Sequence, residues 1–200
     1  MGLHPWSWLP EPARRGLFIF SLLVTFAVLL ALQTLGGPLR TDAAPAGIVS
    51  YEFAGRLAAA QEILASWGAE GQVYAAVSLG LDNLFLFAYA ACIGLACVLV
   101  GRRFHPQSAL RLVGVLLSWG LIIAAGLDAV ENVALISLLL GSTNVALPAL
   151  ARSAALVKFL LVLLGIVYVV LAGVPAMFFI PGYWASSHDR PGELKPPADR

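Results

Sequence analysis

The sequence predicts an all-α, polytopic membrane fold: a four-helix bundle with an additional amphipathic interfacial helix between spans 1 and 2. Three observations carry this expectation. Of 200 residues, 60% are hydrophobic and only 12% are charged, whereas soluble domains average about 45–50% apolar and about 25% charged. The mean hydropathy is +0.88. Apolar segments near the roughly 20 residues needed to cross a bilayer occur repeatedly, and the basic residues gather on one side of them.

Span 1 is read over residues 16–35, entered through Arg14 and Arg15 and closed by Gly36-Gly37-Pro38. Span 2 covers 74–100 and stops at Gly101-Arg102-Arg103. Span 3 covers 109–140, with Pro106 ahead of it and Gly141-Ser142-Thr143-Asn144 behind. Span 4 covers 148–175; Pro148 suits a first helical turn, and Pro175 is expected to kink or end the helix by removing a backbone donor. Ala44-Pro45-Ala46 resembles a leader-peptide cleavage site. The apolar stretch before it is longer than the usual 7–15 residues of a leader, so it is read as a retained span.

Basic residues favour the cytoplasmic side of a membrane. Arg14, Arg15, Arg102, Arg103, Arg111, Arg190, Lys195 and Arg200 fall on one side and outnumber Arg40, Arg56 and Arg152 on the other. The expectation is a multi-pass protein of the cell membrane with both termini cytoplasmic. It divides into an amino-terminal cytoplasmic segment (1–15), a membrane domain (16–183) and a disordered cytoplasmic tail (184–200). Trp6, Trp8, Trp119, Tyr183 and Trp184 are candidate anchors at the inner interface, Trp67 and Tyr74 at the outer one.

Between spans 1 and 2, Val49, Phe53, Leu57, Ala60, Leu64 and Trp67 recur at helical spacing, and Gly68 ends the run. Residues 48–67 are therefore read as one amphipathic helix lying in the outer interface. Glu52 and Arg56 are four apart and are expected to pair. The segment either caps the bundle or forms a lid with Glu52 or Arg56 directed into a site.

Ionisable residues inside a span cost about 2.5–3.5 kcal/mol each on insertion scales and persist where they pair or act. Span 2 holds Asp82 and Asn83, span 3 holds Asp128, Glu131 and Asn132, and span 4 holds Lys158. At 1.5 Å per residue, Asp82, Glu131, Lys158 and Asp128 lie about 12 to 18 Å below the outer helix ends. Four charged side chains from three helices thus share one slab. Asp128, Glu131 and Asn132 stand at i, i+3 and i+4 on one face, and Tyr89 shares a face with Asp82, two turns below. The expected site is an outward-opening acid/lysine pocket above an apolar lower half. Asp128 and Glu131 are the candidate acids, Asp82 the electrostatic stabiliser and Lys158 the group that orients an anion. Asn132, Asn83, Tyr89, Glu52 and Arg56 are candidate ligand-binding residues, and Gln33 and Thr34 candidates for an entrance. Arg56 and Arg152 are candidate partners for a second acid.

Several function classes are excluded. A net charge of +1 offers no field for nucleic acid. His4, His105 and His188 all lie outside the spans, which removes bis-histidine haem and histidine-rich metal sites; no metal and no cofactor are expected. Cys92 and Cys97 do not form a C-x-x-C pair and read as packing residues, with Ala88, Cys92 and Ala96 as a small-residue stripe. No serine has a histidine partner for hydrolase chemistry. The layout of four spans, an amphipathic segment after the first and membrane acids is similar in architecture to the sterol-isomerase and sigma-2-receptor group. No residue carries over from it, because the histidine of those isomerases has no counterpart in these spans. The leading expectation is a protein that binds, and transforms if it is an enzyme, a membrane lipid or small amphiphile. The alternatives are an accessory subunit with a membrane-protein partner and a proton- or cation-coupled permease.

Overall fold

A computed structural model describes residues 4–179. Among the described residues the chain is helical without strands: α1 (Glu11–Leu35), α2 (Ile48–Glu52), α3 (Leu57–Gly101), α4 (Ala109–Leu139) and α5 (Leu147–Phe179). α1, α3, α4 and α5 are long and apolar enough to cross a membrane. The chain is a multi-pass membrane protein.

α1 starts five residues before the expected span, because Pro10 supplies an extended N-cap and Pro12 occupies the first turn, where a missing N–H costs nothing. α4 is capped by Ser108, whose side chain accepts from the Leu110 N–H. Before α5, the Asn144 side chain accepts from the Ala146 N–H at 3.0 Å. α5 then passes through Pro175 and continues to Phe179. The proline therefore does not end the helix, consistent with the tolerance of membrane helices for single prolines. The anchor residues Tyr183 and Trp184 and the tail lie outside the described residues.

The segment read as one helix over 48–67 is broken. After α2, residues 53–56 leave the helix with Gly55 at φ +68°, a conformation that only glycine adopts without strain. The Arg152 side chain covers this turn, its Cδ 3.0 Å from where a Cβ on Gly55 would stand. The chain then enters α3 at Leu57, and Gly68, at φ 59° and ψ −170°, kinks α3 where the interfacial helix was expected to end. Residues 57–67 are therefore the first section of α3. Periodicity bridged the break because both sections bury a similar stripe.

α3 packs against α1, α4 and α5, and α4 packs against α5, whereas α1 touches no helix but α3. Three helices thus surround the interior, and α1 flanks them with Phe20, Leu23 and Phe26 exposed. Close approach relies on glycine. A Cβ on Gly114 would stand 2.7 Å from the Cys97 carbonyl oxygen, and one on Gly165 would stand 2.9 Å from Ile93 and Leu121 side-chain carbons. Buried Cys97 sits in this seam, its thiol 3.7 Å from the Gly165 carbonyl oxygen.

Two apolar clusters fill the interior. One joins Leu39, Tyr51, Trp67, Leu79, Leu135 and Leu138, the other Leu86, Tyr89, Ala90, Leu121 and Ala124. Trp67 is 6% exposed and donates its indole N–H to the Leu39 carbonyl at 2.7 Å. It is a core residue, unlike the interfacial anchor expected. Tyr51 packs edge-on against it, with ring centroids 5.3 Å apart, and donates its hydroxyl to the Leu135 carbonyl at 3.1 Å. These bonds tie the loop after α1 and helix α2 onto α3 and α4.

Candidate functional site

Polar side chains from α3, α4 and α5 meet between the two apolar clusters. The i, i+3, i+4 spacing on α4 turns Asp128, Glu131 and Asn132 inward, at 1%, 1% and 2% exposure. Lys158 on α5 reaches between the two acids, with Nζ 2.8 Å from Asp128 Oδ1 and 2.7 Å from Glu131 Oε2. The Asn132 amide donates to Asp82 Oδ2 on α3 at 2.8 Å. Three helices are thereby bridged by charge-assisted contacts between buried and half-buried side chains. Tyr89 stacks at a tilt on Phe85, ring centroids 5.4 Å apart.

Glu52 joins this group from outside the spans. It ends α2, and its field partners are Lys158, Glu131, Asp82 and Asp128. Burial pushes its carboxyl up to about 8; Lys158 opposes that shift, and the three other acids reinforce it. Phe53, the next residue, stacks on Phe159 with centroids 5.9 Å apart, and Lys158 Nζ lies 4.9 Å from the Phe159 centroid. The turn after α2 is thereby tied to the residue that follows the lysine.

The group is incompletely satisfied. Glu131 Oε1, Glu52 Oε2, Tyr89 Oη and Ser78 Oγ are fully enclosed and have no hydrogen-bond partner. Ser78 lies one turn before Asp82 on the same face of α3. Enclosed polar atoms are normally paired, and leaving one unpaired costs about 1–3 kcal/mol. The group also holds four carboxylates and a single ammonium, which touches two of them. Retained protons, or a bound group with positive charge or N–H and O–H donors, would balance both deficits.

Asp82, Asp128, Glu131, Asn132, Lys158, Tyr89 and Glu52 are brought together. Asn83 is not: it is exposed and its amide returns to the Leu79 carbonyl of its own helix at 2.8 Å. One residue from Asp82 on a helix is about 100° of rotation, so both cannot face inward. Arg56 is also elsewhere, exposed at the N-cap of α3. The break at 53–56 separates it from Glu52, and the two form no ion pair. Arg152 lies over Gly55 and pairs with no acid among the described residues. Gln33 and Thr34 are exposed on the flanking α1.

An outward-opening pocket was expected; Asp128, Glu131 and Lys158 are buried, at 1%, 1% and 6% exposure. A cleft of ≈ 210 Å³ lies instead near the α4 terminus, lined by Leu57, Gln61, Gln72, Leu138 and Ser142 among others. Ser78, Phe53 and Phe159 were missed by sequence reasoning. The spacing of Ser78 from Asp82 was a usable signal; nothing local marked the two phenylalanines. Among the described residues, no group of three or more histidine, cysteine, aspartate or glutamate side chains is arranged to hold a metal ion. No protein-family model, curated protein or solved structure matches the chain.

Proposed function

We propose that this membrane protein binds a small amphiphilic or lipid-like molecule, with its polar head at Asp82, Asp128, Glu131, Asn132 and Lys158. The observation that carries this reading is Glu131 Oε1, an acceptor without a partner on a residue 1% exposed, beside an ammonium shared by two acids. A head group with donors would complete that shell. Purely structural polar contacts between membrane helices average about 0.6 kcal/mol, a small return for so many buried ionisable groups. The apolar body of the ligand would lie along the lipid-facing surface near Phe159, which is 43% exposed.

Entry in this proposal is under a lid formed by α2 and the 53–56 turn, with Glu52 its polar element and the Phe53–Phe159 stack its hinge side. The lid and the first section of α3 would lie at the outer interface of the cell membrane, capping a bundle with both termini in the cytoplasm. The distribution of arginine and lysine supports that orientation. If the bound molecule reacts, a protonated carboxyl of Asp128 or Glu131 would be the acid, with Asp82 and Lys158 stabilising charge.

Native mass spectrometry in mild detergent tests the proposal. An adduct of discrete mass is expected on the wild type and absent from Asp128→Asn and Glu131→Gln, with circular dichroism checking that both variants keep their helices. Retention of the adduct by both variants, or its absence from the wild type, would overturn the reading.

A further inference from the structure

A second concentration of charge lies at the end of the molecule where α1 begins, α3 ends and α4 begins. Glu11, the first residue of α1, pairs with Arg102 just past α3, and with Arg14 at 3.5 Å. Arg14 also donates its Nε–H to the Leu9 carbonyl at 2.7 Å. The start of α4 runs close by: a Cβ on Gly101 would stand 3.4 Å from the Arg111 carbonyl oxygen.

The amino-terminal segment closes over these groups. The Ser7 N–H bonds to the His4 carbonyl at 3.0 Å and the Leu9 N–H to the Trp6 carbonyl at 3.2 Å. Trp6 anchors the turns by donating its indole N–H to Ser118 Oγ at 3.1 Å. Gly94 makes room for it, since a Cβ there would stand 3.4 Å from the indole nitrogen. His4 is thereby held near the arginines, its Nδ1 enclosed without a partner. Burial and the positive charges of Arg14, Arg102 and Arg111 hold its imidazole below the ordinary value. Burial, with Arg111 beside it, also lowers Arg102.

Two guanidiniums therefore share one carboxylate, and the Arg111 backbone lies against Gly101, the residue before Arg102. The two guanidiniums are not freely solvated: the Arg14 side chain is 14% exposed and that of Arg102 is 30% exposed. Like charges gathered in a partly dry site are unfavourable unless an anion joins them. Guanidinium forks match phosphate oxygens in pairs. This end also coincides with the limit of the apolar runs, the level of lipid head groups. We infer that Arg14, Arg102 and Arg111 form a binding site for a phosphate-bearing anion at the membrane boundary, separate from the intramembrane acid/lysine cluster.

The full-length protein in mild detergent, followed by native mass spectrometry, tests this with phosphatidylglycerol, phosphatidylcholine of the same chains, and inorganic phosphate. Retention of phosphatidylglycerol over phosphatidylcholine is expected. Arg14→Gln and Arg111→Gln should each weaken retention about fivefold, the scale of one cation near an anionic lipid. Arg15→Gln and Arg103→Gln remove the same charge from exposed positions and should change retention less than about twofold. Glu11→Gln removes the competing carboxylate and should tighten it, an outcome that loss of folding cannot mimic. Displacement of the lipid by inorganic phosphate would assign the site to the phosphate group itself, and resistance to it would assign the site to a lipid head group; either upholds the inference. Equal losses from the exposed and the converging arginines, or no preference for either anion over phosphatidylcholine, would overturn it.

Discussion

Lys158 touches Asp128 and Glu131 at once and leaves Glu131 Oε1 free. That one side chain explains why the acids can be buried and why the group is still unfinished. In the proposed lid, Glu52 would carry the pH dependence. Burial pushes its carboxyl from the ordinary 4.5 up to about 8, so closure of the proposed lid would raise its proton affinity. The sign follows by linkage: closure is strongest below the solvated value and weakens as pH rises from 4.5 through 8. Amide exchange over residues 48–56, corrected for intrinsic rates, should show less protection at about pH 9 than at about pH 5. Glu52→Gln should remove most of that difference; an unchanged difference would remove Glu52 from the lid.

At the scale of helices, α4 was the most legible element. Asp128, Glu131 and Asn132 share a face through spacing alone, and that face is buried. α2 and α3 were less legible. Gly55 and Gly68 take positive φ, and their turns place two short helical sections in series with a span without disturbing the apolar period. Helix contacts were partly hidden too, because the cysteine-containing stripe was visible while the decisive glycines lay on other helices. Gly114→Ala is expected to destabilise the fold by about 1–3 kcal/mol, the range for overpacking a tight seam. Its new Cβ would meet the Cys97 carbonyl and the Tyr168 hydroxyl, both at 2.7 Å. Thermal unfolding in detergent would measure this, and Gly126→Ala, where a Cβ meets nothing within 4 Å, is the matched control.

For the whole molecule, the acid/lysine cluster and the arginine cluster lie toward opposite ends of α3, α4 and α5. The proposed orientation puts the arginines in the cytoplasm and the lid outside. Single cysteines in a variant lacking Cys92 and Cys97 test it. A membrane-impermeant thiol reagent on intact cells should label Ser142→Cys, between α4 and α5, and spare Gln107→Cys, between α3 and α4, until the membrane is opened. The reverse pattern would invert the orientation. The four crossing helices and the common depth of Asp82, Asp128, Glu131 and Lys158 were legible along the chain. Transfer of apolar residues into lipid and the rise of a helix are local properties, summed one residue at a time. Long-range packing chose Asp82 over Asn83 as the inward residue, set α1 to the side of α3 and buried Glu52 within the field of Lys158. It also brought Arg14 and Arg102 to one glutamate, with the Arg111 backbone beside Gly101. Each of these depends on which face of a helix meets a neighbour distant in sequence, and a hydropathy pattern that is apolar nearly all round cannot encode that choice.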